Sequence, residues 1–159
     1  MLIYETNDLL LTATRTYQTF SGEGWGLTYD GFHLVASDGS SHLSYFKLPD
    51  LSEKTSSRLE LVKDVVVKDH KGIEIHKINE LEYVKGIIYG NIWYQDNIVK
   101  IDGVSGLVVE VIELSKLYPQ HRRPRKADCM NGIAYDKTDG TGFFYLTGKL
   151  WPKQFIVQL

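Results

Sequence analysis

The chain has 159 residues, 43% of them hydrophobic, enough for one ordinary domain with its own core. Charged residues make up 24% and the formal net charge is -2, a balance without an electrostatic footprint for nucleic acid or an acidic membrane surface. No apolar run approaches the roughly 18 residues of a membrane-crossing helix, and no basic region followed by an apolar stretch opens the chain, so neither a nucleic-acid nor a membrane partner is expected.

Ten Tyr, six Phe and three Trp against four Pro favour β structure, because aromatic side chains fit a pleated, half-buried surface. In chain order, short runs bounded by Gly, Asp and Ser turns read as strands at His33–Ser37, His42–Lys47, Ile87–Trp93, Ile98–Asp102, Leu107–Ile112, Phe143–Thr147 and Gln154–Leu159. One helical turn is predicted at Leu114–Leu117, stopped by Pro119. Two connectors, Lys68–Lys77 and Tyr118–Asp128, are longer than hairpin loops and lead into new units; such loops commonly contact ligands.

A repeat organises these strands. Gly26-Leu27-Thr28-Tyr29-Asp30, Glu80-Leu81-Glu82-Tyr83-Val84 and Gly132-Ile133-Ala134-Tyr135-Asp136 each precede a turn and further strands, with Leu27, Leu81 and Ile133 about 54 and 52 positions apart. A four-strand unit recurring at roughly 40–50 residues is the mark of a β-propeller blade, whereas a β-sandwich needs no such period. The expected fold is all-β: one incomplete propeller domain over residues 1–159, with a partial blade at 1–20 and blades beginning near 25, 79 and 131. The first segment reads as the outer part of an earlier blade, so the chain is expected to start mid-blade, cut short at its N-terminal end.

Several motifs are ruled out. Gly142 and Gly148-Lys149 lack the spacing and the hydroxyl of a phosphate-binding loop, and neither a Gly-x-Ser-x-Gly elbow nor a His-Glu-x-x-His motif occurs. His33, His42, His70, His76 and His121 are scattered without metal-ligand spacing. Cys129 is the single cysteine, which excludes an intrachain disulfide and a Cys-based metal site; it reads as a small buried hydrophobe. The basic run His121-Arg122-Arg123-Pro124-Arg125-Lys126 reads as a solvated loop. No metal or cofactor is expected, although a cation held by backbone carbonyls on a propeller axis stays open.

What remains is a Trp with polar companions near each blade entrance: Trp25 beside Gly24 and Gly26; Asn79 with Trp93; and Asn131 with Lys149 and Trp151. Inner strands of a propeller line its channel, so polar residues at their ends converge at one mouth. Trp151, immediately before Pro152, reads instead as packing that helps place Lys149.

Six segments then carry a resemblance: Gly-Glu-Gly-Trp-Gly-Leu-Thr at 22–28, Ser-Asp-Gly-Ser-Ser at 37–41, Ile-Asn-Glu-Leu-Glu at 78–82, Asn-Ile-Trp at 91–93, Met-Asn-Gly-Ile-Ala-Tyr-Asp at 130–136 and Thr-Gly-Lys-Leu-Trp-Pro-Lys at 147–153. In order and spacing they resemble the plant-type glutaminyl cyclases (glutaminyl-peptide cyclotransferases), shared with bacteria. The resemblance implies a five-bladed propeller, of which this chain supplies roughly three to three and a half blades. It implies an acyltransferase that closes the N-terminal glutamine of peptides and proteins into pyroglutamate, releasing ammonia. Trp25 and Trp93 then resemble the indole walls around the glutaminyl side chain, Asn79 the amide that hydrogen-bonds it, and Lys149 the pocket cation. Asn131 joins them by its place in the repeat. Asn79 and Lys149 are the expected catalytic residues, and Trp25, Trp93 and Asn131 the substrate-binding ones.

One departure matters. The family's acid/base glutamate lies in a Phe-Gly-Glu-Gly segment, with a Phe-Thr-Gln-Gly segment further upstream, and this sequence contains neither. Glu23 belongs to the separate Gly-Glu-Gly-Trp segment and does not replace it. The chain as given is therefore expected to be inactive or severely impaired, and the competing reading is a non-catalytic propeller that binds peptide N-termini. A third reading, a scaffold with an incidental aromatic mouth, predicts that replacing Trp25 or Trp93 changes stability but not binding. The family resemblance leans towards the secretory route, and a monomer is expected.

Overall fold

The computed structural model describes residues 1–50, 57–138, 140 and 142–159. Among them fourteen strands follow one another: β1 (Leu2–Tyr4), β2 (Leu11–Thr16), β3 (Gly26–Tyr29), β4 (His33–Ser37), β5 (His42–Lys47), β6 (Ser57–Arg58), β7 (Leu61–Val66), β8 (Ile78–Val84), β9 (Ile87–Ile92), β10 (Asn97–Asp102), β11 (Val108–Glu113), β12 (Met130–Tyr135), β13 (Phe143–Gly148) and β14 (Phe155–Gln158). They form four sheets, β1-β2-β6, β3-β4-β5-β7, β8-β9-β10-β11 and β12-β13-β14. Every pairing is antiparallel except the short parallel contact of β2 with β6. The chain is all-β, as its composition and turn spacing predict.

Consecutive sheets pack face to face through apolar side chains. Val35, Leu43 and Tyr45 of the second sheet meet Ile78, Leu81, Ile88 and Ile101 of the third in one cluster. On the other face of the third sheet, Tyr89 and Ile98 meet Met130, Ile133, Phe144 and Leu146 of the fourth. A smaller cluster holds Ala36, Phe46 and Leu59 against Met1 and Tyr17. Buried apolar area contributes on the order of 25 cal/mol per Å², so these two larger joints carry most of the cohesion. Tyr45 also donates its hydroxyl to the Gly103 carbonyl at 2.7 Å, tying the second sheet to the β10–β11 turn. Burial, then the charges of Asp30 and Asp102, pushes that hydroxyl well above its ordinary range.

Leu114–Leu117 is a single turn, closed by the Leu117 N–H on the Leu114 carbonyl at 2.9 Å, where one turn is expected. A short 3-10 turn not expected from the sequence also forms at Gln120–Arg122, inside the basic run, behind Pro119 with φ -58. Strand β7 is the fourth strand that the repeat expects of its unit, although Lys63 and Asp64 interrupt its apolar pattern; it is the outer strand of its sheet.

The joints bring the first strands of three sheets together, with β3 beside β8 and β8 beside β12. Their starts meet at one end of the molecule and their ends at the other.

Candidate active site

The starts of β8 and β12 share a backbone irregularity. On β8, Ile78 faces Ile92 and Leu81 faces Gly90, so Asn79 and Glu80 together oppose the single residue Asn91. On β12, Met130 faces Gly148 and Ile133 faces Leu146, so Asn131 and Gly132 oppose Thr147. Each is a bulge, one extra residue that breaks the period of two and re-aims a side chain. Just beyond the partner strands, the Trp93 N–H donates to the Lys77 carbonyl at 2.8 Å, and the Lys149 N–H to the Cys129 carbonyl at 3.0 Å. Trp93 and Lys149 thus occupy equivalent stations in successive sheets.

Trp25, Asn79, Trp93, Asn131 and Lys149 line one open cleft of about 330 Å³, with Gly24 completing the wall. All five residues expected from the sequence meet there. Trp151 stays outside; its Nε1 donates to the Asp128 carbonyl at 2.8 Å, its ring lies under Arg123 at 4.6 Å, and it covers Gly148, next to Lys149.

The two indoles stand edge to face, centroids 5.1 Å apart and planes at 77°, a favourable aromatic arrangement. A continuous backbone path fixes them. The Trp25 ring lies against Gly39, where a Cβ would sit 2.6 Å from it and where φ is +79, a conformation that suits glycine. Gly39 donates to the Ile78 carbonyl and accepts from the Lys77 N–H, and Lys77 in turn receives the Trp93 N–H. Tyr94 packs on Trp93 from outside at 4.5 Å.

Three residues that the sequence reading did not single out hold this frame. Ser37, fully buried, accepts the Gly26 N–H at 2.9 Å and donates to the Asn79 carbonyl at 2.5 Å. A Cβ on Gly26 would stand 2.2 Å from that carbonyl, so β3 and β8 approach as closely as backbones can. Asp38 receives the Ser21 and Ser40 N–H groups and the Ser40 hydroxyl, pinning the 21–24 segment. Burial acts to raise its carboxyl, but the hydrogen bonds from Ser40 and Ser21 outweigh it and hold the group below its usual range. Asn91, on β9, accepts the Gly132 N–H across the joint.

The polar groups of the cleft are mainly donors. Asn131 Oδ1 accepts the Glu80 N–H at 3.4 Å, which leaves Nδ2 for a ligand. Lys149 is exposed, and among the described residues no carboxylate pairs with it. Among the described residues no carboxylate lines the cleft. Glu23 stands nearby and accepts the Trp25 Nε1–H at 2.6 Å. Glu80, beside Asn79, is pushed above its usual range by burial and then by Glu82. Apolar walls with convergent donors suit a short aliphatic chain ending in a carbonyl or carboxamide.

A model of the glutamine cyclotransferase family matches residues 1–159. The glutaminyl-peptide cyclotransferase of Arabidopsis thaliana is 32% identical over 151 residues, covering 94% of this chain and 44% of the plant protein. The glutaminyl cyclase of Myxococcus xanthus superposes with a TM-score of 0.71 at 39% identity, over 89% of this chain and 57% of that one. The chain thus spans about half the length of these two relatives. Hsv2 of Kluyveromyces lactis, 8% identical, superposes with a TM-score of 0.51 over 86% of this chain and 33% of its own, a likeness of fold alone. With a family match from the first residue to the last and a bacterial cyclase of the same backbone course, this chain belongs to the glutamine cyclotransferase family.

Proposed function

We propose that the cleft receives the N-terminal glutamine of peptides and proteins, and that the chain serves a glutaminyl-peptide cyclotransferase. In that reaction the substrate's α-amine attacks its own side-chain carboxamide carbon; the C–N bond to the amide nitrogen breaks, ammonia leaves and a five-membered lactam remains. Because the step is intramolecular, the protein's main task is to fold the side chain back and stabilise developing charge. Trp25 and Trp93 would wall the methylenes. Asn79, Asn131 and Lys149 would offer donors to the carboxamide oxygen as it gains negative charge. The convergence of these five residues on one cleft is the observation that carries the reading.

We also infer that the four sheets are whole or partial blades of a five-bladed propeller, together three to three and a half blades. The run of sheets in chain order, with first strands side by side, supports this. Turnover needs a group that takes the amine proton and returns one to the leaving nitrogen. Among the described residues the cleft has no carboxylate in its lining, and the sequence has no Phe-Gly-Glu-Gly segment. That observation favours the second reading for the 159-residue chain: it binds peptide N-termini without converting them.

Titration of the chain with a Gln-initiated peptide, followed by tryptophan fluorescence, tests the first claim; a Gly-initiated peptide is the control. Equal response to both peptides removes the glutamine-site reading. Enzyme-dependent ammonia release from the Gln peptide removes the reading of binding without turnover.

A further inference from the structure

Asn91 lies on β9, opposite the β8 bulge, and its side chain has no solvent exposure. Side chains two apart on a strand share a face, so Asn91 sits between Tyr89, which packs in the joint to the last sheet, and Trp93, which lines the cleft. Its Oδ1 accepts the Gly132 N–H of the β12 bulge at 3.3 Å. Asn131, the neighbour of Gly132, reaches the opposite way to accept the Glu80 N–H of the β8 bulge. Two side-chain amides therefore cross the joint in opposite directions and stitch one bulge to the other.

The Asn91 Nδ2 group is buried without a partner. An unpaired buried donor is costly, and an apolar side chain of similar size would remove that cost. It would also orphan the Gly132 N–H and release the bulge that presents Asn131. An asparagine here therefore does little for stability and much for geometry.

We propose that Asn91 is a positioning residue for the cleft: its Oδ1 fixes the β12 bulge so that Asn131 directs Nδ2 at the ligand. This rests on the glutamine-binding reading for what the ligand is, but not for the latch itself. Asn91 acts through Asn131 and touches no ligand, so removing it carries a signature that a packing residue does not.

The experiment compares the native chain with Asn91→Leu, Asn91→Asp, Asn131→Ala and the double variant Asn91→Leu/Asn131→Ala. Nitrogen-15 spectra follow the Gly132 amide and the Asn131 side-chain amide, and tryptophan fluorescence follows binding of a Gln-initiated peptide. Asn91→Leu is expected to move the Gly132 and Asn131 resonances and weaken binding about tenfold, with little change in melting temperature. Asn91→Asp, which keeps an acceptor oxygen, is expected to restore most of both resonances. The double variant is expected to bind no more weakly than Asn131→Ala alone. Unchanged affinity in Asn91→Leu, or losses that simply multiply in the double variant, overturns the proposal. If the native chain binds no Gln peptide, the glutamine reading falls while the resonances still decide the latch: unmoved Gly132 and Asn131 signals in Asn91→Leu overturn it. Should Asn91→Leu not fold, Asn91→Asp decides, since a Gly132 amide displaced there despite the retained oxygen contradicts the latch.

Discussion

The same three strands, β3, β8 and β12, open onto two clefts of different character. At their starts lies the cleft of about 330 Å³, with two indoles, two amides and an ammonium. At their ends lies a larger cavity of about 440 Å³, bordered by Tyr29, Tyr83 and Tyr135, which hold matching places in the repeat. At the second end β8 and β12 pair in register with their neighbours, and the repeated residue is the same each time. At the first end both strands bulge, and the corresponding stations carry different residues, Trp93 and Lys149. Repetition of the fold builds both ends; departure from repetition builds the one where two indoles, two amides and an ammonium meet. Size is a poor guide, since the larger cavity, with Lys85 and Lys137 at its border, has neither the paired indoles nor the side-chain amides that line the other.

That contrast yields a graded set of expectations. Gly26→Ala should be the most damaging, about 3 kcal/mol in denaturant unfolding, because its Cβ meets the Asn79 carbonyl where neither backbone can retreat. Ser37→Ala should cost about 2 kcal/mol by the same measurement, since it leaves the buried Gly26 N–H without its acceptor. Trp93→Ala should weaken binding of a Gln-initiated peptide by at least about tenfold, roughly 1.4 kcal/mol. Tyr29→Ala, at the opposite end, should leave that affinity unchanged. A comparable loss from Tyr29→Ala would erase the distinction between the two ends.

Smaller effects separate the carboxylates. Glu80 is raised above 4.5 by burial and by Glu82, so the folded state holds its proton more tightly than the unfolded chain. Its contribution is most favourable below 4.5 and is lost as pH rises through the folded value. Glu80→Gln should therefore raise the melting temperature at pH 8 by roughly 2 °C and change it little at pH 4. Asp38 has the opposite sign: held below 3.8, it supports the fold at neutral pH and loses that support as pH falls through its folded value. Least of all, Lys137→Ala, breaking a long 3.9 Å contact between an exposed lysine and the half-buried Glu82, should stay within about 0.5 kcal/mol.

How much of this the sequence discloses follows from the range of each interaction. Most strands announce themselves through alternation and turns, and Leu27, Leu81 and Ile133 reveal the repeat. Trp25, Asn79, Trp93, Asn131 and Lys149 are legible because motif and repeat point to them together. The bulges are not, since a period of two contains no mark of the residue that will break it. Ser37 and Asn91 stand inside quoted motifs, but their tasks are hidden: each acts on a partner about 40 positions away, and nothing local distinguishes a serine that bridges two sheets from one at a surface. Asp38 lies in a legible motif, but its task of holding the 21–24 segment depends on a fold-back no local pattern encodes.

The walls of the cleft come from three different sheets: Trp25 precedes β3, Asn79 and Trp93 belong to the third sheet, and Asn131 and Lys149 to the fourth. Anything seated there touches both joints at once and acts as a rivet across them. Occupancy should slow amide hydrogen exchange along β3, β8 and β12 together rather than around the ligand alone, with a gain set by RT ln(1 + [L]/Kd). Conversely, loosening either joint would dissolve the cleft before any strand unfolds, so a ligand bound there would gauge whether neighbouring sheets are docked.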